Sequence, residues 1–441
     1  MIKMAKKAVT YWKLHGTRLL LKRVIQKLIA RPGDGAAQKR IGGKDSIPPS
    51  GLSRDILDKR YTQARPMITR HRTGNGFNRI NIVTDSVCSG SLFGGVGTAL
   101  LFGAFLANAL NAQCRIITRT ERPDERMVFA FLRLCNIVLK QELQFKFEPC
   151  DDGGSGVEFA EDELFVTTSW WTTASTLSGV DESHVIYLLQ EDERMFYPAG
   201  DDWVRAHKVM RNENIQIVVN TELLYDHMVS NGFGNIARTG LWFEPSFPNW
   251  IYRRSKSRED RRRRRFFFYA RPHNPRNLFY LGLEVIDRAL MKGVINSAEW
   301  DIFFVGSNVP DITLFGDVRP VVCDKIPWND YAHILSTIDV GLSLMSTPHP
   351  SYPPLDLAAS GAVAVTNRFG LKQDLSKYSH NILCSDLSAE DIVSTIDTAI
   401  KMAADTALRT HNYCYSGLGR SWEQSFSEVV GKIVGGLHDR H

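Results

Sequence analysis

Hydrophobic positions in the first half of the chain form short apolar runs separated by longer amphipathic stretches. The runs lie at residues 79–84, 114–118, 164–168, 185–189 and 215–220. Their length and their content of Val, Ile and Leu are typical of strands buried on both faces. The stretch from Thr98 to Leu110 has the length of a helix. This alternation predicts a parallel sheet covered by helices on both sides.

The same alternation restarts in the second half. The predicted strands are 266–270, 301–305, 340–344 and 362–366, and the predicted helices are 277–291, 329–336, 354–360 and 389–402. Between the halves, Pro248 and a run of arginines from 253 to 265 interrupt the pattern. No aromatic residues are interleaved with these arginines, which favours a solvated linker over a nucleic-acid surface.

The fold class that follows is α/β, with two doubly wound Rossmann-like domains facing each other across a cleft. A length of 441 residues also fits two domains better than one. The predicted divisions are a basic N-terminal arm and linker (1–73), an N-terminal domain (74–248), a hinge (249–265), a C-terminal domain (266–420) and a C-terminal helix that returns to the N-terminal domain (421–441).

Charge and cysteine content narrow the class of protein. The formal net charge is +6, but Met1 to Arg31 carries nine Lys and Arg and no acid, which leaves the other residues near −3. A mildly acidic body of this kind is not a general nucleic-acid binder. The seven cysteines include no CxxC pair, so we expect neither structural zinc nor a disulfide framework. With no apolar run long enough to span a bilayer and no signal-peptide pattern, we expect a cytoplasmic protein.

The arm contains one segment with helical patterning. Its apolar stripe consists of Leu21, Val24, Ile25 and Leu28, and its basic stripe of Arg23, Lys27 and Arg31. A basic amphipathic helix can lie on anionic lipid at the inner face of the cell membrane. It can equally pack on the protein itself or on a second copy in a homodimer.

Three segments at predicted strand ends could bind an anionic ligand. Gly94 and Gly95 lie in a glycine-rich turn that opens a helix, where free N–H groups favour anions. The turn matches neither a P-loop nor GxGxxG, so a plain tight turn explains it equally well. Arg271 and Arg276 follow the strand at 266–270. Their guanidinium groups can pair with phosphate oxygens bidentately, although a proline-fixed surface turn is the alternative.

The third segment, Ser346 to Asn367, is the most informative. Four prolines stiffen its loop and then open a helix. We expect Asp356 in the first turn of that helix, where it can accept hydrogen bonds from a ribose diol. A carboxylate that only stabilises the helix dipole is the competing interpretation, worth about 0.3–1 kcal/mol.

The segment resembles the donor-binding signature of retaining GT-B glycosyltransferases of glycosyltransferase family 4. More closely, the chain from about Asn78 to Asn381 resembles bacterial rhamnosyltransferases and rhamnan-synthesis proteins of S-layer and O-antigen polysaccharides. The stretches that carry this resemblance are Gly94–Thr98, Ser169–Thr172, Gln190–Arg194, Phe196–Pro198, Val219–Glu222, Trp242–Ser246, Tyr269–Pro272 and His349–Pro354. The resemblance does not cover the basic arm.

The resemblance implies a nucleotide-sugar donor, dTDP-L-rhamnose, in the C-terminal domain and a glycan acceptor, free or lipid-linked, on the N-terminal side. Two glutamates eight positions apart hold the donor in the family. Asp356 occupies the second position, whereas the first falls at Pro348, so His349 or Ser351 must replace that contact. The expected donor-binding residues are Gly94, Gly95, Arg271, Arg276, Lys325, Ser351, Tyr352 and Asp356.

The acidic residues after the strand at 185–189 are candidate catalytic residues that act on the acceptor hydroxyl. Asp192 or Glu191 could orient or deprotonate its hydroxyl, although a solvated acidic loop is equally plausible. His349 is the alternative base if the enzyme inverts. Trp170, Trp171 and Tyr197 are either sugar-stacking platforms or core residues.

We therefore expect a retaining glycosyltransferase that adds rhamnose to a growing bacterial polysaccharide and needs no metal or other cofactor, since no Asp-x-Asp motif is present. The competing hypothesis is a non-catalytic subunit that binds a nucleotide or glycan within a polysaccharide-assembly complex.

Overall fold

The computed structural model describes residues 51–73, 79–88, 92, 94–151, 153–255 and 261–438. The predicted amphipathic helix of the basic arm lies outside these ranges. Residues 53–441 form one compact unit, and the described part of this unit contains no helix that is long and apolar enough to span a membrane.

The N-terminal half alternates strands and helices. Its strands are β1 (Thr69–His71), β2 (Arg79–Thr84), β3 (Gln113–Thr118), β4 (Leu143–Phe147), β5 (Val157–Phe159), β6 (Leu164–Thr167), β7 (Val185–Leu189), β8 (Gln216–Asn220) and β9 (Leu241–Phe243). Its helices are α1 (Ser53–Arg60), α2 (Gly95–Ala109), α3 (Glu125–Leu134), α4 (Trp170–Thr176), α5 (Asp201–Met210), α6 (Glu222–Ser230) and α7 (Gly234–Thr239).

These strands build one large parallel sheet. Within the described residues its order is β4-β3-β2-β6-β7-β8-β9, and β1 pairs separately with β5. The strand order reverses between β2 and β6, where the connections leave in opposite directions. In open α/β sheets such a reversal opens a crevice at the carboxyl ends of the strands, and ligands bind there.

The C-terminal half repeats this architecture. Its strands are β10 (Arg264–Ala270), β11 (Trp300–Gly306), β12 (Val321–Asp324), β13 (Val340–Leu342), β14 (Val363–Asn367) and β15 (Ile382–Ser385). Its helices are α8 (Phe279–Met291), α9 (Trp328–Thr337), α10 (Tyr352–Ala359), α11 (Ala389–Ala404), α12 (Thr406–Cys414) and α13 (Trp422–His438). In the described residues the parallel order is β12-β11-β10-β13-β14-β15, which reverses between β10 and β13.

Aromatic side chains of the central strand β10 organise the C-terminal core. Phe266 and Phe268 point to one face and pack with α8 and α11, while Phe267 is equally buried on the other face. Helix α8 approaches so closely that a Cβ on Gly282 would lie 2.4 Å from the Phe268 ring. Burial on both faces explains why this strand is a continuous apolar run.

The C-terminal helix α13 leaves its own domain and packs on the N-terminal one. Phe426 contacts the rings of Phe102 and Phe243, with centroids 5.5 Å and 4.8 Å away. The two segments that cross between the domains are joined to each other, since the N–H of Phe247 donates to the carbonyl of Gly419 at 2.7 Å.

The predicted fold class is confirmed, while some predicted elements shift by a few residues. The helix predicted at 354–360 spans Tyr352–Ala359, and the strand predicted at 340–344 is limited to Val340–Leu342.

The interpretation of the arginine run as a solvated linker is wrong for residues 261–265. Strand β10 already begins at Arg264. Arg261 pairs with Asp339 at 3.1 Å, and Arg263 pairs with Asp301 at 2.7 Å. Carboxylates brought in by neighbouring strands attract these side chains, which a pattern along the sequence does not reveal.

Candidate functional site

The carboxyl ends of both sheets face the same cleft, and residues from the two domains touch across it. Tyr352, at the start of α10, reaches the N-terminal domain. Its hydroxyl lies 2.6 Å from the Thr98 hydroxyl and accepts a hydrogen bond from the Asn220 amide at 2.9 Å. Burial raises the pKa of Tyr352 to about 12, so the hydroxyl keeps its proton at neutral pH.

A second contact across the cleft involves charge. Glu191 follows β7 and accepts a hydrogen bond from the Thr347 hydroxyl of the other domain. The same carboxylate oxygen lies 3.3 Å from a guanidinium nitrogen of Arg276, which follows β10. The Arg276 guanidinium also lies 4.4 Å from the ring centre of Phe196. Glu191 is therefore an interdomain ion-pair partner of a predicted donor-binding arginine.

The loop Ser343–Ser351, which we call the donor loop, connects β13 to α10 and holds His349 in one tautomer. The backbone N–H of Ser351 donates to Nδ1 of His349 at 2.9 Å, so the ring proton resides on Nε2. Nε2 is buried and has no hydrogen-bond partner among the described residues. Burial lowers the pKa of His349 to about 4. This neutral ring presents an N–H donor, which fits ligand binding and does not fit the general base predicted as an alternative.

Other predicted donor residues surround the same strand ends. The carbonyl of Gly95, in the first turn of α2, accepts a hydrogen bond from the Gln190 amide at 2.7 Å. Gly94 precedes that helix with a φ of 65°, which favours glycine. Arg271 and the exposed Lys325 both lie close enough to His273 to lower its pKa through their charge, in addition to the larger effect of burial. The Ser351 hydroxyl is buried and unpartnered within the described part of the chain.

Asp356 lies in the second turn of α10, so the prediction of a first-turn residue is wrong by one turn. It is buried, and one of its oxygens accepts a hydrogen bond from the Tyr331 hydroxyl at 3.1 Å. Burial raises the pKa of Asp356 to about 7, with Tyr252 and Tyr331 acting in the opposite direction. The other oxygen is buried and has no hydrogen-bond partner in the described residues.

The three acids after β7 have different environments. Both oxygens of Asp192 accept hydrogen bonds from Arg194, at 2.8 Å and 2.6 Å, and one also lies 3.2 Å from Nε2 of His227. Although burial opposes it, these contacts lower the pKa of Asp192 to about 2. Burial instead raises the pKa of Glu193 to about 8. Asp192 is therefore a structural anion, which argues against the predicted role as a base.

Sequence reasoning missed Asp85, which directly follows β2 at the reversal in strand order. Its two oxygens accept hydrogen bonds from the indole N–H of Trp171, at 3.0 Å and 2.9 Å. Burial raises the pKa of Asp85 to about 6. The Trp171 ring lies 6.5 Å from Phe196, which in turn contacts Arg276. The rule that singled out Arg271, a polar residue at the end of a strand, also applies to Asp85.

The three predicted acceptor aromatics do not share one environment. Trp171 is only partly buried and lines this crevice. Trp170 is buried in the core and donates its indole N–H to the Tyr197 hydroxyl at 3.0 Å. Trp170 and Tyr197 are therefore hydrogen-bonded to each other, and the buried ring of Trp170 is not open to stack on a sugar.

The described residues contain no group of three or more His, Cys, Asp or Glu side chains arranged to hold a metal ion.

Comparisons with known proteins agree with this two-domain arrangement. Residues 79–222 match the family model described as WsaF, N-terminal domain, and residues 264–397 match WsaF, C-terminal domain. The chain carries both WsaF domains. It is also 27% identical over 285 residues to the O-antigen biosynthesis protein RfbC of Myxococcus xanthus. That match covers 63% of this chain and only 21% of the relative, so the chain spans about a fifth of its length.

Solved structures show the fold. Anabaena Alr3699/HepE in complex with UDP-glucose has a TM-score of 0.56 and 12% identity, covering 82% of this chain and 99% of that one. Sucrose-phosphate synthase from Thermosynechococcus elongatus has a TM-score of 0.53 and 11% identity, covering 82% and 98%. These neighbours are GT-B glycosyltransferases, and the two WsaF domains adopt the GT-B fold.

Proposed function

We propose that this protein is a glycosyltransferase of polysaccharide biosynthesis, which moves a sugar from a nucleotide-sugar donor to a hydroxyl of a glycan. One observation carries the proposal. Arg271 and Arg276 follow the central strand of the C-terminal domain, and Arg276 meets an aromatic crevice with a carboxylate, Asp85, across the cleft. Cations suit the leaving diphosphate, while a carboxylate beside an aromatic ring suits a sugar acceptor.

L-rhamnose from dTDP-L-rhamnose is the donor that we propose. The support is the resemblance to bacterial rhamnosyltransferases, together with the O-antigen biosynthesis named for the Myxococcus relative. The HepE structures hold UDP or UDP-glucose, which supports a nucleoside diphosphate sugar as the class of donor.

In the proposed reaction the donor lies against the C-terminal domain. Arg271 and Arg276 stabilise the negative charge that develops on the departing diphosphate, and the N–H of His349 adds a neutral donor. The free oxygen of Asp356 accepts from a ribose hydroxyl. We propose that this charge stabilisation replaces a metal ion.

We propose that the anomeric configuration is retained through a front-side displacement. The acceptor hydroxyl then attacks on the side from which the diphosphate departs, and the phosphate takes its proton. Asp85 orients the acceptor by accepting a hydrogen bond from it, and Trp171 holds the Asp85 carboxylate in place. This role replaces those predicted for Glu191 and Asp192, whose carboxylates are engaged with arginines.

Incubation with dTDP-L-rhamnose and a short rhamnose-containing acceptor tests the proposal directly. We expect a glycoside of unchanged anomeric configuration, assigned by NMR of the product. An inverted product would replace the retaining mechanism, and turnover of another nucleotide sugar would replace the donor.

The absence of a carboxylate at Pro348 favours a second candidate, a non-catalytic nucleotide-binding subunit. Binding of dTDP without turnover, across a panel of nucleotide sugars and glycan acceptors, would support that candidate and reject the enzyme.

We further propose that the protein works at the cytoplasmic face of the bacterial membrane through its basic arm. Deletion of residues 1–32 should move the protein from the membrane fraction to the soluble fraction and leave transfer to a soluble acceptor unchanged. Unaltered fractionation would reject this lipid contact.

A further inference from the structure

Lys372 is buried in the cleft, and no sequence motif singles it out. Its residue is 0% exposed, and its ammonium donates a hydrogen bond to the carbonyl of Met345 in the donor loop at 3.3 Å. No second hydrogen bond of this ammonium occurs within the described residues. A buried charge with three donors is costly unless it is well paired, so this arrangement leaves donors for an acceptor that is not part of the protein.

Two other hydrogen-bond donors near Lys372, on His349 and Arg276, also have few or no acceptors in the described part of the protein. The buried Nε2–H of His349 has no partner among the described residues. Arg276 meets the single carboxylate Glu191 at 3.3 Å. The charges of Glu191, Lys372 and Arg276 all act on the pKa of His349, and that of Glu191 acts on the pKa of Lys372. These four groups therefore lie within electrostatic reach of one another.

The charges of this cluster are unbalanced on the C-terminal side. Lys372 and Arg276 are cations, His349 is a neutral donor, and the facing anion is Glu191 of the other domain. Lys372 forms no ion pair with Glu191 among the described residues, because that carboxylate is already engaged by Arg276 and Thr347. A ligand with at least two negative charges would satisfy both cations and the histidine, which a single carboxylate does not do.

We propose that Lys372 binds the diphosphate of the nucleotide-sugar donor together with Arg276 and His349, and that Glu191 occupies this anion site when the donor is absent. The inference rests on the proposed function, because it assigns a further binding residue to the same donor. It also gives Glu191 a role: the carboxylate keeps the cations paired until the diphosphate displaces it.

If Lys372 binds the diphosphate, the affinity for diphosphate should depend on the protonation of Lys372. Burial lowers the pKa of Lys372 to about 8, although Cys384 and Glu191 act in the opposite direction. His349 and Cys384 both stay uncharged around this pH, since burial lowers the pKa of His349 to about 4 and raises that of Cys384 to about 11. Only the ammonium form binds phosphate strongly. Diphosphate affinity should therefore fall as the pH rises from 7 to 9.

Isothermal titration calorimetry with dTDP, and separately with inorganic pyrophosphate, tests the assignment on the full chain. Lys372→Met keeps the length of the side chain and removes the charge, and we expect a loss of affinity of about tenfold or more. We also expect the pH dependence between 7 and 9 to disappear. Glu191→Gln should instead increase the affinity severalfold, because it removes the competing anion.

Lys377→Met is the matched control. Lys377 also crosses between the domains, but it pairs with Glu222 and Glu244 at 2.9 Å and 3.4 Å. Its replacement should leave both affinities unchanged. A purely structural role for Lys372 and Glu191 would make both variants bind more weakly, which contradicts the increase in affinity expected for Glu191→Gln.

The outcomes separate this inference from the proposed function. If the parent chain binds dTDP and Lys372→Met binds it equally well, the inference is overturned and the proposed donor stands. If the parent chain binds pyrophosphate in a Lys372-dependent manner but no nucleoside diphosphate, the anion site stands and the proposed donor fails. Binding of neither overturns both. Should Lys372→Met fail to fold, unchanged or weaker binding by Glu191→Gln would itself reject the inference.

Discussion

The two faces of the cleft have opposite chemistry, although both domains are doubly wound sheets. The N-terminal face presents carboxylates and aromatic rings, namely Asp85, Glu191, Trp171 and Phe196. The C-terminal face presents hydrogen-bond donors, namely Arg276, His349 and Lys372, and Arg271 directly follows the same central strand as Arg276. The same architecture thus supports two kinds of recognition, because the residues that follow the strands differ while the strands themselves do not.

Carboxylates on the N-terminal face also differ from one another. Asp192 is ionised by its contacts with Arg194 and His227, whereas burial raises the pKa of Asp85 to about 6 and that of Glu193 to about 8. Their environment therefore separates structural acids from an acid that can serve the acceptor. Substitutions on each face can test that separation and the contrast between the two faces.

Replacing Asp192 should have the largest effect, and on stability. Asp192→Ala leaves the buried Arg194 without its carboxylate, which costs about 3–5 kcal/mol. Urea denaturation measures this loss. The exposed pair Glu213–Arg238 provides a control, since Glu213→Ala should change the free energy of unfolding by less than about 0.5 kcal/mol. An equally small effect at Asp192 would remove its structural role.

The pH dependence of stability has a defined sign. Because the folded pKa of Asp192 is about 2 and its ordinary value is 3.8, its contribution is complete above pH 4 and is lost as the pH falls towards 2. The contribution is about 2 kcal/mol. The Asp192→Ala variant should show a correspondingly shallower decline over this interval.

Asp85→Asn tests the acceptor side. The amide keeps an acceptor for the Trp171 N–H but loses the charge, so we expect transfer to slow by about a hundredfold. Donor affinity should not change, because the residue belongs to the opposite face. In the parent protein kcat/KM should rise as the pH passes 6, and this limb should vanish in the variant. Loss of dTDP binding would instead place Asp85 in the donor site.

Arg271→Ala tests the donor side. Removing one charged hydrogen-bonding group should weaken dTDP binding by about tenfold to a hundredfold. Calorimetry should show no change for Arg319→Ala, an exposed arginine on the same domain that lies ahead of β12. Unchanged binding by Arg271→Ala would leave Arg276 as the principal arginine of the phosphate site.

Tyr352→Phe should have the smallest effect of the series. It removes the hydroxyl that joins Thr98 and Asn220 across the cleft and should cost about 1 kcal/mol. A fall in melting temperature of a few degrees is expected, with a modest rise in donor KM because the closed arrangement is less favoured. A larger loss in kcat would assign the hydroxyl to the reaction itself.

Sequence patterns predicted the two-sheet architecture and the position of the two arginines at a strand end, because both depend on short stretches of sequence. Alternating strands and helices define the sheets, and Arg271 and Arg276 directly follow a recognisable strand. Lys372 was not predicted as a site residue, because it lies five residues beyond strand β14 and belongs to no motif. Its importance arises from the donor loop that folds over it, which depends on contacts between segments far apart in sequence.

The ionisation state of each carboxylate could not be predicted from the sequence either. Asp192 was interpreted as a candidate base, although Arg194, two residues along the chain, and His227, 35 residues away on α6, both contact its carboxylate. Asp356 was expected in the first turn of its helix, whereas it lies in the second turn, where one of its oxygens accepts a hydrogen bond from Tyr331 of α9. The contacts of Asp192 with His227 and of Asp356 with Tyr331 join residues that are distant in sequence. Burial, which raises the pKa of Asp356, is equally invisible in the local pattern.

The paired crossing at Phe247 and Gly419 limits how the domains can move. Because the two connections are hydrogen-bonded to each other, we expect them to restrict sliding and separation of the domains more than rotation about the crossing. A donor that closes this cleft then loses little translational freedom between the domains, since the chain has already restricted it. If the cleft closes on the proposed nucleotide-sugar donor, we therefore expect the change to be mainly one of the angle between the domains.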